Sequence, residues 1–308
     1  MSIANPVATS APMRLHAAHP SFVGIVRGEL FKVSRQISTW VFGLLLLGAI
    51  ALPYLILLIT DSKMKTEVEQ DPMSVLYSIL GVDMTVLKVF GGAFLIIVAA
   101  RLIGMEYSGG TIRVILSRGV GRLQLLFGKL AALAIIALGV VVVAVLLDVL
   151  LAIVLLLLRA GGLDLFKSAT GDFWSDSGAY LLLVLVSLGV TILMATAVTV
   201  VGRSLAFGMS VALLWYPAEN FSTLFLFLGY RLTNSDFWRL ISGDFLGLNL
   251  NAMAAVILPP RAHMATAVNF QAPMVPVTGG HTLLVTVVFA VVFTVTAIVL
   301  TARRDVKE

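Results

Sequence analysis

The sequence predicts an all-α membrane protein with six transmembrane helices, and three observations carry that prediction. Hydrophobic residues make up 59% of the 308-residue chain and charged residues 12%, about half the roughly 25% typical of soluble domains. Runs such as Ala131–Leu158 and Leu181–Val201 reach the roughly 20 apolar residues needed to cross a bilayer. These runs lack the strict alternation of membrane barrel strands. Lipid forces each backbone group to bond within its own segment, which a helix does. Lys and Arg, finally, fall unevenly between the runs.

Taken in order, residues 1–20 are rich in Ala, Pro and Ser and read as a disordered cytoplasmic tail; residues 21–308 read as a single transmembrane domain. Ser21–Ile37 reads as an interfacial helix. Phe22, Val26, Leu30, Val33 and Ile37 follow helical spacing, while Arg27, Lys32 and Arg35 reach for lipid headgroups. The spans are expected at 39–60, 86–103, 125–158, 179–201, 205–228 and 282–302. The third would extend about 50 Å in a bilayer core of about 30 Å, so it must tilt, protrude or break.

Six spans place both termini on one side. Thirteen of the 21 Lys and Arg residues lie there, with four acids, Glu29, Glu106, Asp305 and Glu308; the rest of the chain has 8 basic and 12 acidic residues. The positive-inside rule then puts both termini and the Glu106–Lys129 segment in the cytoplasm of a cell inner (plasma) membrane. The net charge of +5 is an orientation signal, with no nucleic-acid partner implied. On the other side, 61–85 is polar and acidic, 159–178 is Gly/Asp-rich, and 229–281 is partly apolar. Within the last, Phe237–Leu248 reads as an outer interfacial helix, with a second shallow segment at Leu250–Leu258 before Pro259-Pro260.

Two acids fall inside the expected spans, Asp148 in the third and Glu219 in the fifth. Each costs about 2.5–3.5 kcal/mol at a helix centre and calls for a partner or a wet cavity. Glu219, with Trp215 and the helix-kinking Pro217, reads either as a lining of a substrate path or outer gate, or as a solvated helix end. Asp148 reads as an interhelical hydrogen bond or a further path residue.

Chemistry of the chain's own is absent from the sequence. It has no Cys, no HExxH and no GxSxG, and Gly128-Lys129 is followed by Leu130, so no Walker A Ser/Thr is present. His16, His19, His263 and His281 lack metal-ligand spacing. No catalytic residue, metal or bound cofactor is expected.

The Glu106–Lys129 segment is a basic, Gly-rich island between apolar runs. Gly109-Gly110 breaks the helix, Thr111 caps a short helix from Ile112 to Ser117, and Gly119 and Gly121 turn the chain back. Ile112, Ile115 and Leu116 form an apolar patch with Arg113 and Arg118 beside it, the size of a partner's groove. Here the chain resembles the permease subunits of type-2 ABC transporters, the exporter-like class with six spans. The resemblance rests on Glu106, Gly110-Thr111, Arg113, Ile115-Leu116, Arg122 and Gly128-Lys129 in order, on Gly28-Glu29-Leu30-Phe31-Lys32 before the first span, and on Arg303-Arg304-Asp305 at the end. Gly119 stands where the family often has Pro.

The resemblance implies a homodimer, or a pair with a homologous permease, docked on two copies of an ABC ATPase subunit that hold ATP and magnesium. The stretch Thr111–Arg118, with Ser117, would be the coupling helix; Glu29, Phe31, Lys32 and Arg35 would belong to an elbow helix. A hydrophobic or amphipathic substrate would be exported. Two other readings stay open at this level: a secondary transporter or channel, and a non-transporting anchor or assembly subunit.

Overall fold

The computed structural model describes residues 21–60, 63–266 and 272–303. The expected tail at 1–20, and with it Arg14, His16 and His19, lies outside the described residues, as do Arg304, Asp305 and Lys307. Among the described residues the chain is a helix bundle: α1 Phe22–Ser34, α2 Ile37–Thr60, α3 Met64–Gln70, α4 Pro72–Val86, α5 Gly92–Ser108, α6 Thr111–Ser117, α7 Arg122–Arg159, α8 Gly171–Gly202, α9 Leu205–Asn220, α10 Ser222–Thr233, α11 Phe237–Ser242, α12 Leu246–Ile257, α13 His263–Thr266 and α14 Gly279–Arg303. Five helical stretches are long and apolar enough to cross a membrane, and α9 with α10 makes a sixth if that bent pair counts as one span. The chain is thus a multi-pass membrane protein.

The second span departs most from expectation. It is helical from Pro72 to Ser108, 37 residues, where the sequence suggested 86–103. Asp71 caps the start by accepting from the Ser74 N–H at 3.0 Å, with Pro72 at the first helical position. The acid at Asp83 does not end the helix, because the Tyr54 hydroxyl donates to it at 2.7 Å. Between α4 and α5 the turn widens into a π-helical segment, Leu87–Gly91. There the Lys88 carbonyl accepts the Tyr216 hydroxyl at 2.8 Å. The span forms the centre of the bundle, 72% of its most apolar stretch being buried against 17% for α2 and 22% for α14.

The long third span, α7, is one unbroken helix of 38 residues. At about 57 Å it must tilt or protrude; the option of a break is removed. The fifth span is corrected in the opposite sense. It was expected as one span over 205–228 with a kink at Pro217, yet α9 and α10 are separate helices that meet at 60°. Pro217 gives no N–H to the Leu213 carbonyl, and the helix ends four residues later at Phe221, whose N–H bonds the Pro217 carbonyl at 2.9 Å.

The segment 229–281 is also different from a pair of surface helices. α11 stops at Gly243. α12 is largely buried, including Leu248, Asn249, Asn251 and Met253, and packs on α9 and α14. Beyond it, a 3-10 turn at Pro260–Ala262 leads into α13, which lies on α4. Arg261 of that turn grips Asp176 with Nε on Oδ2 at 2.8 Å and Nη2 on Oδ1 at 3.1 Å, and reaches Asp172 at 2.9 Å. The Tyr77 hydroxyl of α4 also donates to Asp176, at 2.7 Å.

Candidate functional site

The start of the site is α1. Ser21 caps it, accepting from the Gly24 N–H at 3.0 Å. Its Val26, Glu29 and Val33 are buried on one face, whereas Phe31 is 60% exposed. That stripe lies on α7. The crossing is close enough that a Cβ on Gly128 would stand 2.5 Å from the Ile25 side chain, so only glycine admits this approach. Directly after it, Lys129 turns its side chain into the gap between α1, α5 and α7.

Four charges meet in that gap. Lys129 Nζ donates to Glu29 Oε1 at 2.9 Å, to the Leu102 carbonyl at 2.9 Å and to Glu106 Oε1 at 2.8 Å. Lys32 Nζ reaches Glu29 Oε2 at 3.0 Å and Glu106 Oε1 at 2.6 Å. Glu29, Glu106 and Lys129 are 3–5% exposed. Burial opposes the charged form of Lys32, yet the hydrogen bond and charge of Glu106, with Glu29, outweigh it and hold the amine above its usual value. The cluster is neutral overall, and Lys129 finds one acceptor for each of its three N–H donors. Glu106 Oε2 alone has no hydrogen-bond partner.

The sequence put all four residues in motifs but did not show that they touch. Glu29 and Lys129 stand 100 positions apart, and nothing local signals their meeting. Lys129 was counted among the basic residues of the cytoplasmic-side connection; its side chain is buried, as are those of Glu29 and Glu106.

Glu106 lies near the C-terminus of α5, and α6 follows across Gly109-Gly110. Gly110 holds the left-handed conformation at φ 64° and is the N-cap of α6, with Thr111 as its first helical residue. The expected Thr111 cap is therefore displaced by one position, because the sharp turn needs a residue free to take positive φ. Ile112, Ile115 and Leu116 are half-buried, and the fully presented apolar side chain of α6 is Val114, at 52% exposure, which the spacing argument passed over. Thr111, Ser117 and Arg118 are exposed; the side chain of Arg113 is outside the described set. Gly119, where a stiffer residue was anticipated, is at φ 85°, a conformation closed to proline. Arg122 opens α7 and approaches the Ala302 carbonyl of α14 at 3.5 Å. Arg35 stacks over the Phe31 ring at 5.0 Å.

The sequence profile of the ABC-2 family transporter proteins matches residues 25–219, well over half of the chain. The chain belongs to the ABC-2 transporter family. A search of curated proteins returned no match. The ABC-2 match starts within α1 and ends at Glu219, so it takes in the four-charge cluster and α6. It identifies the chain as a transport permease, the membrane component of an ABC transporter, with an ABC ATPase subunit as its partner.

The remaining predicted site residues of this ABC-2 permease lie elsewhere. Trp215 stacks edge-on with Phe293 at 6.5 Å. Glu219 Oε2 accepts from the Gly247 N–H at 3.1 Å, binding the end of α9 to the N-terminal turn of α12, where the helix dipole favours an anion. Asp148 is 7% exposed on α7, and its Oδ1 makes none of the interhelical hydrogen bonds expected of it. Three residues in the same end of the bundle went unremarked in the sequence. Asp83 was assigned to a polar loop, Tyr54 gave no signal inside an apolar run, and Lys88 stood near the edge of the expected span. Lys88 is 5% exposed and donates to Asn251 Oδ1 at 3.0 Å.

Proposed function

We propose that this permease is driven by ATP hydrolysis on two separate ATPase subunits, and that it exports a hydrophobic or amphipathic substrate. In this reading α6 is the coupling helix, α1 the elbow helix, and both termini are cytoplasmic. Two permease chains pair, as identical copies or with a homologue. ATP and magnesium stay on the partner.

The four-charge cluster is the observation that carries the reading. A helix of seven residues has too little buried surface to hold a force by itself. α6, however, leaves α5 only five residues after Glu106, and Glu106 is bonded through Lys32 and Lys129 to α1 and α7. A push on α6 would reach three helices together. The exposed Val114 and Arg118 at its surface suit a groove on a soluble partner, and the excess of Lys and Arg on this side supports its placement in the cytoplasm.

Co-purification tests this directly. Val114→Asp and Leu116→Asp should each release the ATPase subunit or abolish its stimulation by the permease, while the variant permease remains monodisperse. Unchanged co-purification and stimulation in the Val114 variant would remove α6 from the interface.

A further inference from the structure

The two faces of α1 have different surroundings. Val26, Glu29 and Val33 turn inward, onto α7 and the charge cluster. Lys32, which the sequence grouped with the cations reaching for headgroups, is bonded to Glu29 and Glu106 instead. The outward face is Val23, Arg27, Phe31 and Arg35, all exposed and each one turn from the next. Arg27 and Arg35 thus stand to either side of the Phe31 ring, and Arg35 lies over it at 5.0 Å. Neither guanidinium has a hydrogen bond or an ion pair among the described residues. The one acid of α1, Glu29, is buried on the inward face, so the outward face carries two positive charges and no negative one.

What adjoins this face says what covers it. Only Arg35 and Gln36 separate α1 from α2, which is long and apolar enough to cross a membrane. The Trp40 indole closes the corner, its Nε1 donating to the Ser34 carbonyl at 2.8 Å. Gln36 accepts from Arg101 Nε of α5 at 3.3 Å, which holds the corner at the end of the bundle where the charge cluster lies. Beyond it Ile37, Trp40, Val41, Leu44 and Leu45 are all more than half exposed, an apolar surface that suits acyl chains. Arg27 and Arg35 stand where that surface gives way to polar surroundings, at headgroup level. Eight residues span about 12 Å of helix, a gap that two arginine side chains can close around one phosphate. Two unpaired guanidiniums favour a phosphodiester whose charge no ammonium group cancels.

We infer that this face of α1 binds an anionic phospholipid, its phosphate between Arg27 and Arg35 and its acyl chains along Phe31, Ile37 and Trp40. The lipid holds α1 from outside as Glu29 and Lys32 hold it from inside. The inference shares with the proposed function the placement of α1 beside the membrane. Lipid binding is measured without nucleotide or ATPase, so the two can fail separately.

The test uses the full-length chain in phosphatidylcholine nanodiscs containing brominated phosphatidylglycerol or brominated phosphatidylcholine at low salt. Bromine on the acyl chains quenches indole fluorescence on contact. Trp40 is the reporter, its share being the difference between the wild type and Trp40→Phe. Quenching of that share should favour phosphatidylglycerol by about fivefold or more. Arg27→Gln and Arg35→Gln should each lower the preference by about two- to fivefold, and together bring it near one. Quenching by brominated phosphatidylcholine should stay unchanged in these variants, which shows that the corner still folds. Raising the salt should weaken the preference of the wild type, an arm that needs no variant. Equal quenching by the two lipids in the wild type, or an unchanged preference in the double variant, would overturn the proposal. An unchanged preference together with loss of the ATPase subunit on co-purification would give this face to the soluble partner.

Discussion

Lys129 makes three hydrogen bonds from a buried position, and losing it leaves Glu29 and Glu106 facing each other with Lys32 as their only shared cation in the cluster. Removing one partner of a buried ion pair costs about 3–5 kcal/mol, most of it the stranded charge. Lys129→Met should therefore lower the thermal midpoint of the purified protein strongly. Adding Glu29→Gln removes one stranded carboxylate, so the double variant should recover part of the loss, with a coupling energy of about 1–3 kcal/mol in a double-mutant cycle. Additive effects would mean the charges do not act as a unit. At this scale the sequence showed which residues mattered and not what they do. Gly28-Glu29, Glu106 and Gly128-Lys129 were legible as separate motifs, but pairing over 74 to 100 positions depends on how α1 crosses α5 and α7. The close approach at Gly128 fixes that crossing, and no local pattern encodes it.

Among the helices, hydropathy located the spans and misjudged two of them for opposite reasons. The stretch 72–86 carries Asp83 and follows an acidic loop, so it read as polar connection; Tyr54, a residue of another helix, satisfies that acid and the helix continues. The stretch 205–228 is mostly apolar, with Glu219 its only acid, so it read as one span. Pro217 warned of a bend, but the bend sits at Phe221, where Ser222 Oγ donates to the Glu219 carbonyl at 2.8 Å and Asn220 Nδ2 to the Tyr216 carbonyl at 2.7 Å. Side chains thus take up carbonyls that the broken helix leaves behind. Glu219 then ties this corner to α12. Glu219→Ala should free the Gly247 N–H and loosen the first turn of α12, seen as faster amide hydrogen exchange at residues 246–250 with little change in α5. Unchanged exchange would show that packing alone holds α12 in place.

For the molecule as a whole, the two ends of the bundle are organised by different means. At one end a buried charge cluster joins α1, α5 and α7. At the other, Arg261 joins the turn after α12 to α8, and Tyr77 adds α4 through the same carboxylate. Arg261→Ala would leave Asp176 with the Tyr77 hydroxyl as its remaining partner, so the turn at 260–262 and α13 should become more accessible to limited proteolysis, while the charge cluster at the far end keeps its stability. Equal sensitivity in both proteins would show that the latch contributes little. The overall plan of a multi-pass helix bundle was legible in composition and charge, since lipid leaves a chain few alternatives. The latch was not, because Arg261 and Asp176 both lay in stretches that read as loop or loop edge.

One continuous rod connects these ends. From Pro72 to Ser108 it is 37 residues, or about 55 Å, with the π-helical segment as the one widened turn along it. As a lever pivoting near its middle, it would move each tip by about 5 Å for a 10° tilt, comparable to one helical turn. Its lower tip leads directly into α6, and its upper tip forms one wall of a groove lined also by Leu57 of α2. A pull on α6 and a change in the groove's width are then one displacement read at two places.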